Sequence, residues 1–268
     1  FKKLLMKKFL VIGNPIEHSL SPTLHNYWIK NNSINAIYGK KKLNEDELEQ
    51  LILQVKEKKI NGINVTVPFK KSIIPFLDEL SIEAESTQSV NTIYLQDSKV
   101  MGHNTDIEGF ASSIKESKYN PINKKVLILG AGGVVPSIIF ALNKMKVSQI
   151  KISNRTKEKA ENLKTIFKNI EIVEWGELPD IDMIINATSI GLKKEENINL
   201  DFSLISKNSF FYDVIYNPRE TNFLKTGKSM GNITLNGKLM FIYQALSAFN
   251  IWHGLKPDVD ENVIKLLD

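Results

Sequence analysis

Residues 125–156 read KKVLILGAGGVVPSIIFALNKMKVSQIKISNRT, and no other stretch of the chain restricts its fold so tightly. Val126–Leu129 is the short apolar run of a buried parallel strand. Gly130, Ala131, Gly132 and Gly133 then turn the chain into a helix whose first N–H groups can face a pyrophosphate. A second strand, Gln149–Ser153, follows, so the segment reads as one β–turn–α–β unit of a doubly wound α/β sheet. An NAD site usually places an acid just after this second strand, to accept from the ribose 2′-hydroxyl. Here the strand runs into Asn154-Arg155-Thr156, with no acid among them. A guanidinium and a hydroxyl suit a 2′-phosphate instead, which points to NADP.

A glycine triplet alone is weak evidence, and the third fingerprint position is Val135 rather than Gly or Ala, which weakens the helix–strand packing argument. Arg155 carries more weight because arginine is scarce. It and Arg219 are the only two arginines among 35 basic residues. A chain that uses lysine almost everywhere has a planar, bidentate donor where a phosphate would lie.

At 268 residues the chain can form two modest domains, each with a core. The net charge of +5 comes from dispersed lysines, and the runs Lys40-Lys41-Lys42 and Lys193-Lys194 read as solvated faces, not as a nucleic-acid stripe. There is no cysteine, so disulfides and thiolate metal sites are excluded, and the four histidines (His18, His25, His103, His253) show no metal-ligand spacing. No apolar run approaches a membrane span. The opening FKKLLMKKFL is basic like a signal segment, but its apolar part is short and leads into Gly13-Asn14-Pro15; Met6 is a candidate start of translation.

The order of elements predicts a break between two domains. Phe9–Ile12, Ala36–Gly39, Ile63–Val65 and Thr92–Leu95 read as strands, with helices at Pro22–Lys30 and Glu45–Lys58. Ser21-Pro22 looks like a capping hydroxyl followed by proline at the first helical position. Asn44 with Glu47, and Thr105 with Glu108, look like capping boxes. The second of these opens a helix taken as the bridge into the next domain. Regular βα alternation then runs to about residue 235, and two helices, Leu239–Trp252 and Asp260–Leu267, return to the first domain. The expected domains are 1–105 completed by 236–268, and 106–235.

Three polar clusters in the first domain are too dense for ordinary surface. In Asn14–Pro22, Ser19 and Ser21 stand beside a helix start, where hydroxyls and the helix dipole can hold a carboxylate. A plain cap explains Ser21 but not Ser19. In Asn64–Lys70, alternation turns Asn64 and Thr66 to one side and Val65 and Val67 to the other, while Pro68 ends the strand before Lys70. The third cluster runs from Val90-Asn91-Thr92 to Gly102–Asp106. Asn, Thr and Gln side chains suit a neutral polyhydroxy substrate, since they donate and accept.

The chain resembles the shikimate dehydrogenases, NADP-dependent enzymes of aromatic biosynthesis, along nearly its whole length. The resemblance rests on NPIEHSLSPTLHN, NVTVPFK, SVNTI, GHNTD, GAGG, NRT, NATSIGL, DVIYNP and NGKLMFIYQA, met in this order. It implies an N-terminal α/β substrate domain completed by C-terminal helices, a Rossmann-type NADP domain and an active site in the cleft between them. It implies reversible NADPH-linked reduction of 3-dehydroshikimate to shikimate by a cytoplasmic enzyme with small-molecule partners only, and it allows a homodimer. Carried over by motif, Ser19 and Ser21 bind the carboxylate, and Thr66, Asn91 and Gln244 bind hydroxyls. Lys70 and Asp106 are catalytic, and Tyr216 lies at the substrate. Gly130 to Gly133, Asn154, Arg155 and Thr156 hold the cofactor, with Val214 and Gly237 near the nicotinamide, and no metal is expected. The family pattern is broken at Gln88-Ser89, where Gly-Ala is usual, at Val134 in place of Ala, and at Leu239 in place of Gly.

Ketone reduction needs a hydride and one proton, and Lys70, fixed by Asp106, is the candidate proton donor. Two rivals stand beside this reading. A quinate/shikimate dehydrogenase that prefers NAD is disfavoured by Arg155, and a non-catalytic NADP-binding regulator by the intact Lys70–Asp106 pair. Arg155→Ala is expected to weaken NADP binding by about tenfold or more, the worth of a charge-assisted pair, and to leave NAD nearly unchanged. Fluorescence titration with both cofactors reads the ratio; an unchanged ratio would remove Arg155 from the 2′-phosphate.

Overall fold

The computed structural model describes residues 5–268; the first four residues of the basic opening segment lie outside the described residues. The chain divides into two compact units, the residues up to Gly109 with Ile242–Asp268, and Phe110–Phe241.

The first unit contains β1 (Lys7–Gly13), α1 (Ser21–Asn31), β2 (Ala36–Lys42), α2 (Leu48–Lys56), β3 (Gly62–Val65), β4 (Glu79–Leu80), α3 (Ile82–Thr87), β5 (Thr92–Gln96) and β6 (Lys99–His103). Its six strands form one sheet in the order β2-β1-β3-β5-β6-β4. β1 runs parallel to β2 and β3, whereas β3–β5 and β5–β6 are antiparallel. Ile12 pairs with Val65, Asn64 with Thr92, and Thr92 with His103. The segments after β1, β3 and β6, and the one before β5, therefore leave the sheet at one edge. These are the three polar clusters of the sequence, gathered by register alone. One face of this sheet packs Ile12, Ile63 and Ile93 against Leu48, Leu51, Ile52 and Val55 of α2. Elsewhere in this unit Phe9 meets Trp252, Tyr38 stacks on His25, and Trp28 meets Phe249 edge-on.

The helix α4 (Asp106–Glu116) leads into the second unit, which holds β7 (Lys125–Leu129), α5 (Val135–Lys144), β8 (Gln149–Ser153), α6 (Lys157–Ile166), β9 (Ile170–Val173), β10 (Met183–Asn186), β11 (Phe210–Asp213), α7 (Asn222–Ser229) and β12 (Ile233–Leu235). All neighbours in its sheet are parallel, in the order β12-β11-β10-β7-β8-β9. β7 thus lies between β8 and β10, the point where the winding reverses and where such sheets bind dinucleotides at their C-terminal ends. The chain ends in α8 (Lys238–His253) and α9 (Glu261–Lys265). No helix among the described residues is long and apolar enough to cross a membrane.

Several expectations need correction. Ser21 does not cap α1: Leu20 is the N-cap residue, without a side-chain cap bond, and Ser21 is already helical. The segment Glu45–Lys58 begins as a 3-10 turn at Glu45–Glu47, capped by Asn44 and Glu47 as expected, and α2 stops at Lys56. β3 ends at Val65, as the sequence predicts, so the strand alternation read over Asn64–Val67 does not extend to Thr66 and Val67, and Val67 is exposed. Val135, the bulkier fingerprint residue, is fully buried. β4, α3 and β6 were not foreseen; two and six residues are too short for periodicity, and β6 carries Gly and His. The two compact units meet in the chain within α4 and α8. The first turn of α4 is held by Lys70 and Asn91, and the residues ahead of Ile242 by Ile215 and Tyr216.

Candidate active site

Lys70 sits in the turn after β3, and Asp106 is the first residue of α4; Nζ lies 2.5 Å from Oδ2. The side chains are 13% and 9% exposed, so this is not the solvated surface pair worth roughly 0–1 kcal/mol. Asn91 donates from Nδ2 to the other carboxylate oxygen, Asp106 Oδ1, at 3.1 Å, and to Thr105 Oγ1 at 2.9 Å. Its Oδ1 accepts the Thr105 N–H at 2.8 Å. One amide thereby fixes the carboxylate and the start of the helix that carries it. The Val90 N–H donates to the Lys70 carbonyl at 2.8 Å, tying the lysine turn to the same strand.

Ser19 and Ser21 stand at the start of α1, which has no acid in its first turn. Ser19 Oγ accepts the Ser21 N–H at 3.3 Å. Tyr38 Oη donates to Asn64 Oδ1 at 2.6 Å. Asn64 Nδ2 donates to the Asn91 carbonyl at 3.0 Å and to Thr92 Oγ1 at 3.1 Å. Tyr38 is therefore linked through Asn64 to Asn91. Thr66 lies just past β3, half-buried; a Cβ on Gly13 would stand 2.6 Å from its methyl. Lys40 and Lys42 do more than solvate a face, since they bind the carbonyl and carboxylate of Glu17 and fasten the loop that carries Ser19. Gln244 is half-buried on α8 in this same unit.

In the second unit Gly130 has φ +109° and donates to the Ser153 carbonyl at 2.8 Å. A Cβ there would stand 2.8 Å from the Ala187 carbonyl oxygen, so glycine is required on both counts. Gly132 is exposed and its Cβ direction is open, so a ligand can approach its backbone. Val134 is the N-cap residue of α5 and makes no side-chain cap bond. Arg155 is exposed, while the nearby Glu174 carboxylate is taken by Lys157. Asn154 donates to the Thr156 carbonyl at 2.7 Å, and the Thr156 hydroxyl makes no cap bond to α6. These features fit a dinucleotide carrying a 2′-phosphate. A Cβ on Gly237 would stand 1.9 Å from the Val214 carbonyl oxygen, so these two backbones touch. Tyr216 is half-buried against Phe241 at 4.8 Å, and burial pushes its phenol up to about 12. Among the described residues no group of three or more His, Cys, Asp or Glu is placed to hold a metal ion.

Sequence reasoning missed a buried network at the ends of β10 and β11. Asp213 Oδ1 accepts from Asn186 Nδ2 at 3.1 Å and from the Ile215 N–H at 2.9 Å; Oδ2 accepts from Thr221 Oγ1 at 2.6 Å. Asn186 Oδ1 accepts the Thr188 N–H at 3.1 Å. One carboxylate thus sets the loops that follow both strands, including the backbone around Val214. The available signal was a single polar residue closing each of two apolar runs, MIIN and FFYD. Burial pushes the Asp213 carboxyl up to about 6.

A dinucleotide crevice, together with an ammonium–carboxylate pair among neutral hydrogen bonders, defines a nicotinamide-dependent oxidoreductase. The profile of the shikimate dehydrogenase substrate binding domain matches residues 11–93, and that of shikimate / quinate 5-dehydrogenase matches residues 112–222. The shikimate dehydrogenase (NADP(+)) of Pelagibacter ubique is 62% identical over 264 residues, covering 98% of this chain and 100% of that one. The crystal structure of shikimate dehydrogenase from Aquifex aeolicus is 37% identical with a TM-score of 0.87, covering 98% of this chain and 97% of that one. The shikimate 5-dehydrogenase of Thermus thermophilus, solved with NADP(H) and shikimate, is 29% identical with a TM-score of 0.89, covering 98% of each chain. The chain belongs to the NADP-dependent shikimate dehydrogenase family.

Asp213 makes a testable contribution to stability. Its folded-state pKa of about 6 lies above the ordinary carboxylate value, so it favours the fold below about pH 4 and that contribution is lost as pH rises through 6. Asp213→Asn cannot titrate. The stability of the wild type relative to this variant should therefore fall by about 2–3 kcal/mol between about pH 4 and pH 7. Urea unfolding of both proteins at the two pH values measures it, and a constant difference would mean an ordinary carboxyl.

Proposed function

We propose that this chain catalyses the reversible, NADPH-linked reduction of 3-dehydroshikimate to shikimate, with Lys70 and Asp106 handling the proton. The observation that carries the reading is the 2.5 Å contact between Lys70 Nζ and Asp106 Oδ2, held by Asn91 within a ring of neutral side chains. Residues Gly130 to Gly133, Asn154, Arg155 and Thr156 would hold the cofactor, with Val214 and Gly237 lining its nicotinamide end. When bound, NADPH supplies the hydride that the ketone carbon takes up. Lys70 donates the proton that the new alkoxide needs, and takes it back from the hydroxyl in the oxidative direction. Asp106 holds the ammonium in place and accepts from the substrate hydroxyl. Ser19 and Ser21 orient the carboxylate, and Thr66, Asn91, Gln244 and Tyr216 the ring. The reading carries with it a cytoplasmic location, where NADPH is available, and a homodimer as the assembly that sedimentation would read.

Turnover with shikimate and quinate, each with NADP and NAD, tests the assignment: shikimate with NADP should be the strongly preferred pair. Comparable rates with quinate would make it a quinate/shikimate dehydrogenase, and no turnover of any pair a regulator. Lys70→Ala should lower kcat by about 10²–10⁴-fold, the usual worth of a positioned acid or base, with much less effect on KM. Asp106→Asn should also lower kcat, and the double variant should be little worse than the poorer single one, because the two residues act as a unit. Additive losses would mean two independent roles.

A further inference from the structure

We infer that the first unit carries a second small-molecule site, at the opposite end of its sheet from Lys70 and Asp106, which takes a small aromatic monocarboxylate. The site is independent of the reaction proposed above. Strand register places it. Phe9 of β1 pairs with Gly62 of β3, and Gly62 with Tyr94 of β5, so these residues form one row across the sheet. Ile12, Val65 and Thr92 lie toward the other end, where the polar clusters leave. A pocket of about 230 Å³ opens at the first row. Phe9, Tyr94 and Trp252 contribute rings to its lining, and Lys7, Lys58 and Asn61 contribute polar groups.

The lining is fixed by contacts of its own. The Trp252 ring lies 5.0 Å from that of Phe9, and its Nε1 donates to the Ile93 carbonyl of β5 at 3.1 Å. A Cβ on Gly62 would stand 2.3 Å from the same Nε1, so the indole rests directly on the backbone of β3. Its one donor is spent, and what it offers a ligand is an apolar ring. Asn61 is held as firmly. Its N–H donates to the Lys8 carbonyl at 2.7 Å, and its Oδ1 accepts the Lys8 N–H at 2.9 Å. The amide is left with Nδ2, which can only donate. Two ammonium groups and one amide N–H₂ therefore present donors beside a wall of rings.

Charge and size define the ligand. Lys56 and Lys59, close by in the sequence, pair with Asp78 at 3.3 Å and Glu57 at 2.6 Å. Lys7 and Lys58 have no such acidic partner among the described residues. The Lys7 charge instead bears on His253, whose ring packs against Phe9 at 4.8 Å; burial first, and then Lys7, pull that imidazole down to about 4. Glu83, whose charge reaches the Tyr94 phenol, has its carboxylate 3.8 Å from the His103 ring. An anion between Lys7 and Lys58 would complete the charge balance. The volume falls below the about 300–1,000 Å³ of sites for drug-sized ligands, so it holds one ring. Flat faces favour an aromatic ring, and hydroxyls on the ring would lie unpaired against Phe9 and Trp252.

The probe is benzoate, added at pH 7 while the indole N–H resonances of Trp28, Trp175 and Trp252 are followed by nuclear magnetic resonance. Only the Trp252 resonance, assigned by its loss in Trp252→Phe, should shift, and it should saturate with a Kd on the order of 1 mM or below. In the double variant Lys7→Gln/Lys58→Gln, which loses two exposed charge contacts, the Kd should rise about fivefold or more. Both lysines are exposed, and unmoved Trp28 and Trp175 resonances report that the variant is folded. Benzamide, the same ring without the charge, should bind the wild type more weakly by a similar factor. A shift that does not saturate, movement of Trp28 or Trp175 in place of Trp252, equal binding of benzamide, or an unchanged Kd in the double variant would each overturn the inference. A Trp252 shift that follows protein concentration alone would overturn it too, giving the pocket to a second copy of the chain.

Discussion

Burying an ammonium beside a carboxylate costs several kcal/mol per ion unless hydrogen bonds replace the lost water. Lys70 and Asp106 meet that condition through Asn91, whose amide reaches Asp106 Oδ1 while Lys70 takes Oδ2. The same amide binds both the hydroxyl and the N–H of Thr105, so the carboxylate cannot move without the helix start moving with it. Asn91 is fixed in turn by the sheet. Its N–H donates to His103 and its carbonyl accepts from Val65. The strands β3, β5 and β6 therefore converge on one side chain. The polar clusters along the sequence become a site because antiparallel pairing brings them to one edge.

The second unit solves a different problem, that of bringing backbone close to a ligand and to itself. Gly130 leaves no room for a side chain against Ala187, and Gly237 none against Val214. Between these two contacts Asp213 gathers three donors from three separate segments. A buried carboxylate is an expensive way to hold loops, and its raised pKa records that expense. Its return is geometric: one group with four lone-pair sites fixes the exits of two adjacent strands. An amide in its place would hold fewer of the same donors.

Much of the fold was legible because its signals are local. Gln149–Ser153 forms where its apolar alternation and flanking residues place it, and the glycine turn needs only its own sequence. Arg155 stood out by rarity. Tyr38 and Asp213 did not, because each ends or interrupts an apolar run and reads as core until its partners are known. Ser21 was misread for a related reason. Its sequence context is that of a cap, but Leu20 holds the cap position, and Ser19 takes the local backbone bond. Gln88 shows the same limit from the other side. It takes the left-handed conformation, φ 49°, at the end of α3, where the family's usual glycine would sit without strain.

The proposed carboxylate-binding end, at Ser19 and Ser21, has no arginine near it in the sequence, and this is consistent with the rest of the proposed chemistry. Among the chain's two arginines, one follows β8 and the other β11, both in the second unit. A bidentate guanidinium would bind a carboxylate tightly in substrate and product alike, and uniform binding lowers KM without raising kcat. Hydroxyls at a helix start bind more weakly, but they can be set with precision if something rigid holds them. Tyr38, stacked on His25 and paired through both its backbone groups with Asn26, ties α1 to β2. In the proposed reaction the buried Lys70–Asp106 pair is left to the carbon that changes oxidation state.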